Sequence, residues 1–196
     1  MSASRILLLL ALPIAAAQQS SPFAGIPSVP DGELRFTGHV PAFDAKDIEG
    51  KTWRSQDLRG KFTLLYIWST QEARTQDHLS PRAANLVHFV DLAGLQRFYD
   101  KVKNGGKIQV LTFCRDYESG DAEHAQDYMR QARYTFPVIT DYVSVAHVRL
   151  GIEDQFPREW SSGAWLVNPS GQLAYRVRGW TFGRLLFEAE RAAAAQ

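Results

Sequence analysis

The stretch Phe62-Thr63-Leu64-Leu65-Tyr66-Ile67-Trp68-Ser69-Thr70-Gln71-Glu72-Ala73-Arg74-Thr75 decides the fold. From Phe62 to Trp68 it is nearly continuous in apolar and aromatic side chains, without alternation. Such a run fits a strand covered on both faces, in a parallel or mixed sheet under helices. The polar residues after it mark the strand's end. Ile108 to Phe113 has the same apolar character. Between the two runs Leu92, Leu95, Phe98 and Val102 recur at helical spacing, with Asp91 as a cap and Asn104-Gly105-Gly106 as a stop. Strand, helix, strand at this spacing is a βαβ unit.

Upstream, Pro41-Ala42-Phe43 and Lys51-Thr52-Trp53 flank Asp47-Ile48-Glu49-Gly50, which reads as a hairpin turning on Gly50. Ser55 is placed to cap a short turn through Leu58, closed by Gly60. Downstream, Asp121 to Ala132 is a helix with Ala125, Tyr128, Met129 and Ala132 on one face. Pro137 to Ile139 is a short extended piece. Val143 to Leu150 reads as a helix ended by Gly151. Ala164 to Val167 and Leu173 to Arg178 are strands around the turn Asn168-Pro169-Ser170-Gly171. In the second, Leu173, Tyr175 and Val177 alternate with Ala174, Arg176 and Arg178, as in an antiparallel strand with one wetter face. Thr181 caps a final helix carrying Leu185, Leu186 and Ala189. The pattern predicts an α/β domain over residues 37–191: a central mixed sheet flanked by helices, with an N-terminal β-hairpin.

The chain has 196 residues, 45% of them hydrophobic, enough for one domain with a substantial core. Met1 to Arg5 is a short basic segment, and Ile6 to Ala17 is an apolar run ending in an A-x-A-like site. Residues 1–17 therefore read as a secretory signal peptide. The run is short for a membrane span, which needs about 20 apolar residues; an uncleaved anchor is the competing reading. Cleavage predicts an exported protein, periplasmic or extracellular, with no stable membrane insertion. Residues 18–36, rich in Ser, Pro, Gly and Gln, read as a flexible leader. Without Arg5 the chain carries 21 basic and 21 acidic residues. That balance argues against a nucleic-acid partner or an anionic membrane surface. The single cysteine, Cys114, has no internal disulfide partner.

Three stretches resemble one family. Pro41-Ala42-Phe43, Asp47, Gly50-Lys51, Asp57-Leu58 and Gly60-Lys61 look like the hairpin and D-L-x-G-K lead of a redoxin. Phe136-Pro137-Val138-Ile139-Thr140-Asp141 looks like its "FPVLLD" segment, and Trp165-Leu166-Val167-Asn168-Pro169-Ser170-Gly171-Gln172 like its "FLIDPDG" segment. Their order and spacing resemble a bacterial redoxin of the TlpA type (AhpC/TSA-like) in the thioredoxin-like superfamily. The resemblance implies a thioredoxin-like fold, cell redox homeostasis, and thiol-disulfide oxidoreductase or peroxidase chemistry carried by Trp-Cys-x-x-Cys after the first buried strand.

Here the motif positions are Gln71, Glu72, Ala73, Arg74 and Thr75, and the two expected cysteines read Glu72 and Thr75. Disulfide exchange needs an attacking thiolate and a second thiol to release the mixed disulfide. A carboxylate and a hydroxyl supply neither. The cis-proline expected before the "FLID" strand falls at Ser162, after what looks like an insertion from Glu153 to Ser161. Two classes of function follow. One is a binding or scaffold module with a degenerate redox site and an envelope or secreted protein as partner. The other is a divergent oxidoreductase or antioxidant protein using Cys114.

The remaining candidates are weaker. Cys114, after the second buried strand, reads either as a small buried residue or as a relocated thiol activated by Arg115. Glu72, Arg74 and Thr75 read as a solvated cap or as an anion-binding turn. His39, His78, His88, His124 and His147 show no zinc spacing, so neither a metal nor another cofactor is expected. Trp68 and Trp165 belong in the core. Trp160, beside Phe156, is the tryptophan to suspect of exposure and of anchoring a partner. Arg176, Arg178 and Arg184 read as a solvated basic cluster.

Overall fold

The computed structural model describes residues 36–77, 92–116, 122–156, 163–174, 190–191 and 193–194. The elements, in chain order, are β1 (Phe36–His39), β2 (Asp44–Lys46), β3 (Thr52–Arg54), a 3-10 turn (Ser55–Leu58), β4 (Phe62–Trp68), α1 (Thr70–Asp77) and α2 (Leu92–Val102). After them come β5 (Ile108–Cys114), α3 (Ala122–Ala132), β6 (Val138–Ile139), α4 (Tyr142–Gln155), β7 (Gly163–Val167) and β8 (Gln172–Ala174). Six strands form one sheet in the order β1-β8-β7-β4-β5-β6, and β2 and β3 form a separate hairpin. The sheet is mixed: β4, β5 and β6 run parallel, while β7 and β8 are antiparallel to their neighbours. The architecture is the α/β arrangement that the sequence pattern predicts.

The lack of alternation in Phe62 to Trp68 has its cause here. β4 lies between β5 and β7, and every one of its residues is buried. Leu64, Tyr66 and Trp68 pack with Leu92, Leu95 and Phe98 of α2 and Ala125 and Met129 of α3. Leu65 and Ile67 pack the opposite face with Val145, Val148 and Ile152 of α4 and with Phe43 and Trp53 of the hairpin. Each half-face is an apolar layer, so hydrophobic burial orders the sheet from both sides.

Several expectations are corrected. The strand β1 begins at Phe36, paired with Ala174, so Phe36 is not part of the leader. The first hairpin arm is Asp44–Lys46 rather than Pro41-Ala42-Phe43. Ser55 lies inside the 3-10 turn, whose cap is Arg54; the Asp57 carboxylate accepts the Arg54 N–H at 2.8 Å. Gly151 does not end a helix. α4 runs through it to Gln155, taking in the first three residues of the supposed insertion. Gly151 is small because the chain passes close by: a Cβ there would lie 2.6 Å from Pro41 Cγ. The helix starts where Asp141 accepts the Ser144 N–H at 2.9 Å. In β8 both Leu173 and Ala174 are buried, while residues 175–178, which carry the rest of the expected alternation, lie outside the described residues. Gly50 at φ +83° and Gly171 at φ +82° occupy the turn positions read for them. Among the described residues, no helix is long and apolar enough to cross a membrane.

Candidate functional site

The site grows from one register. β4 and β5 are parallel and in step, so Trp68 lies opposite Cys114 at their carboxyl ends. The Arg115 N–H donates to the Trp68 carbonyl at 2.8 Å, carrying the ladder one residue beyond β5. This brings Cys114, Arg115 and Asp116 against the start of α1. In open α/β sheets that edge is where ligands and catalytic groups collect.

The first turn of α1 is satisfied from within the protein. The Ser69 hydroxyl accepts the Glu72 N–H at 3.1 Å, and its carbonyl accepts the Ala73 N–H at 3.0 Å, so Ser69 is the N-cap. The Thr70 N–H donates to Asp116 Oδ1 at 2.8 Å. Helix N-termini leave unpaired N–H groups that attract anions, and here a carboxylate of the same chain takes one of them. Arg115 Nη2 donates to Glu72 Oε1, closing an ion pair between the end of β5 and α1. Both side chains are about one-third exposed, so the pair orients the turn more than it stabilises the fold. Asp116 Oδ2 and Arg115 Nε are inaccessible and have no hydrogen-bond partner among the described residues. Gln71 is exposed and Ala73 buried, while the side chains of Arg74 and Thr75 lie outside the described residues.

Cys114 is the last residue of β5 rather than the one after it, and it is only 4% exposed. Burial pushes its thiol well above the ordinary thiol range, and the Asp116 carboxylate pushes it further. Backbone N–H groups of Asp116 and Thr70 act in the opposite direction and do not overcome burial. The expectation that Arg115 activates this thiol is corrected: its guanidinium is turned to Glu72. At neutral pH the thiol stays protonated, and only the thiolate attacks disulfides or peroxide.

A pH effect on stability follows. The folded state holds this proton more tightly than the unfolded chain, whose thiol titrates near about 8.5. The contribution is complete below that pH and is lost as pH rises above it. In urea titrations the wild type should lose stability relative to Cys114→Ser as pH rises above the unfolded thiol's range. Parallel pH curves for the two proteins would mean that the thiol is not held protonated.

The other candidates do not join this cluster. His39, His124 and His147 are exposed on β1, α3 and α4. Among the described residues no group of three or more His, Cys, Asp or Glu could hold a metal ion. Trp68 and Trp165 are buried as expected. Phe156 is buried, with its ring centroid 5.2 Å from that of Trp165. His78, His88, Trp160, Ser162, Arg176, Arg178 and Arg184 lie outside the described residues. The residue that sequence reasoning missed is Asp116. Its one signal was an acid two residues beyond a buried strand, too common to single out.

No protein-family model and no curated protein matches the chain. Solved structures do. The thioredoxin domain of a thiol-disulfide oxidoreductase from Bacteroides vulgatus aligns with a TM-score of 0.58 at 16% identity, covering 82% of this chain and 99% of that one. The chain has a thioredoxin-like fold. Yeast Sco1, solved with copper bound, aligns at a TM-score of 0.55 and 14% identity, covering 84% and 96% of the two chains. StoA from Bacillus subtilis aligns at 0.52 and 17%, covering 79% and 99%. At such identities the likeness carries the thioredoxin-like architecture and not an activity.

Proposed function

We propose that this chain is an exported thioredoxin-fold protein that acts as a binding or scaffold module in the cell envelope or outside it, without thiol-disulfide turnover. One observation carries the reading: at the turn that opens α1, Ser69, Glu72, Arg115 and Asp116 bond to one another's segments, with the protein's single thiol buried beside them. A redox site needs an accessible thiolate there. A network of fixed charges and amides presents a shaped polar surface instead, suited to a protein partner met outside the cytoplasm. The basic and apolar N-terminal segments support export.

The place of Cys114 at the carboxyl end of β5, beside the α1 N-terminus, favours a second reading, a divergent oxidoreductase or antioxidant protein that exposes this thiol to its substrate. One experiment separates the two. Purified protein, wild type beside Cys114→Ser, is assayed with a disulfide substrate and with peroxide, each with excess thiol. The binding-module reading expects background rates from both proteins. Turnover by the wild type that vanishes in Cys114→Ser would overturn it in favour of the second.

A further inference from the structure

Among the described residues β1 is the outermost strand of the sheet on its side. An outermost strand presents unpaired N–H and C=O groups, a template for another strand. At His39 that template is occupied. The His39 N–H donates to Gln155 Oε1 at 2.7 Å, and Gln155 Nε2 donates to the His39 carbonyl at 2.8 Å. The side-chain amide makes both bonds that a neighbouring strand would make. The His39 backbone groups are thus taken by Gln155, on the strand beyond which no further described strand lies. The amide is itself held, since Gln155 Nε2 also donates to the Gly151 carbonyl at 2.7 Å.

Two close approaches on the same seam show that the arrangement is built in. A Cβ on Gly38 would fall 2.6 Å from the Phe156 ring, and one on Gly151 would fall 2.6 Å from Pro41. Glycine at both positions lets the end of α4 settle onto β1 and the segment after it. Helix, strand and linker are thus fitted closely enough for one amide to reach both edge groups.

We infer that Gln155 is an edge guard: it occupies the backbone groups of His39 at the end of β1 and so prevents strand addition by a second copy of this chain. The partner excluded is this protein itself, because an identical β1, freed in the same way, offers the complementary ladder.

The test compares wild type with Gln155→Ala by sedimentation velocity from micromolar to near-millimolar concentration, alongside hydrogen exchange at the His39 amide. The wild type should keep one mass throughout. Q155A should associate as concentration rises, and its His39 amide should exchange about tenfold faster in dilute solution, where no partner covers it. Adding His39→Pro, which removes that backbone donor, should abolish the association. If Q155A does not fold, Gln155→Glu replaces it: the side chain keeps its length, but a carboxylate cannot donate to the His39 carbonyl. Equal masses for wild type and variant across the range overturn the proposal, as does association that survives His39→Pro.

Discussion

Trp68→Ala is expected to destabilise the protein by about 3–5 kcal/mol, the range for emptying a buried tryptophan site. Trp68 has no exposed surface. It closes the α2/α3 face of the sheet, in the same core layer as Tyr66, Leu95 and Met129 and with its ring centroid 6.0 Å from that of Tyr128. Its Nε1–H donates to Thr112 Oγ1 at 3.1 Å. The Thr112 hydroxyl in turn donates to the Pro137 carbonyl at 3.0 Å, so it keeps a partner when the indole is lost. The loss is therefore mainly cavity and contact, not an orphaned polar group. Trp68→Phe, which retains most of the apolar volume, should cost about half as much. Urea unfolding followed by circular dichroism measures both. Domains of this kind have about 5–15 kcal/mol in total, so the alanine variant should show a visibly lowered midpoint at room temperature. A cost below about 1 kcal/mol would mean that the side chain is not packed in the core.

Asp47→Ala is expected to cost about 3 kcal/mol, through hydrogen bonds rather than volume. The Asp47 carboxylate is buried at the turn between β2 and β3. It accepts the Glu49 N–H at 3.0 Å, the Lys51 N–H at 2.9 Å and the Trp53 indole N–H at 2.8 Å. Hydrogen bonds to a charged acceptor contribute about 1.5–3 kcal/mol each, with losses at one site far from additive. Alanine also leaves the indole of Trp53, itself buried, without an acceptor. The turn is joined to the main sheet, because the Ile48 N–H donates to the Val138 carbonyl at 2.9 Å. Loosening it should therefore unsettle β6 as well. Asp47→Asn separates the parts. Its one oxygen still serves the turn amides, but its NH2 group meets the indole donor, so about half the loss should remain. Hydrogen exchange at Glu49 and Lys51 should accelerate in the alanine variant and much less in the asparagine one. Equal exchange in all three proteins would show that the turn does not depend on this carboxylate.

The two residues differ in how far the sequence discloses them. The burial of Trp68 is legible because an apolar run without alternation has no solvent side to offer. Asp47 reads as part of a hairpin turn, yet its threefold role is not legible. The turn pattern accounts for an acidic residue there without any reference to Trp53, whose indole reaches it only once the hairpin is closed. The same contrast holds for glycine. Gly50 and Gly171 are turn residues by local conformation, which a short window of sequence conveys. By the same local logic Gly151 reads as a helix stop. It is instead a point of close approach to Pro41, a residue 110 positions away in the chain.

From the sequence alone come the α/β class with its central mixed sheet, the hairpin around Gly50, the buried strands from Phe62 and Ile108, and a single cysteine. These depend on residue type and on short-range periodicity, which the chain carries before it folds. The tertiary structure decided the state of the site. Thr70 meets Asp116 across 46 positions and Glu72 meets Arg115 across 43. Those meetings depend on the parallel register of β4 and β5, which sets Trp68 beside Cys114. Register and burial are properties of packed strands, and the charge and access of a thiol follow from its surroundings rather than from its own identity.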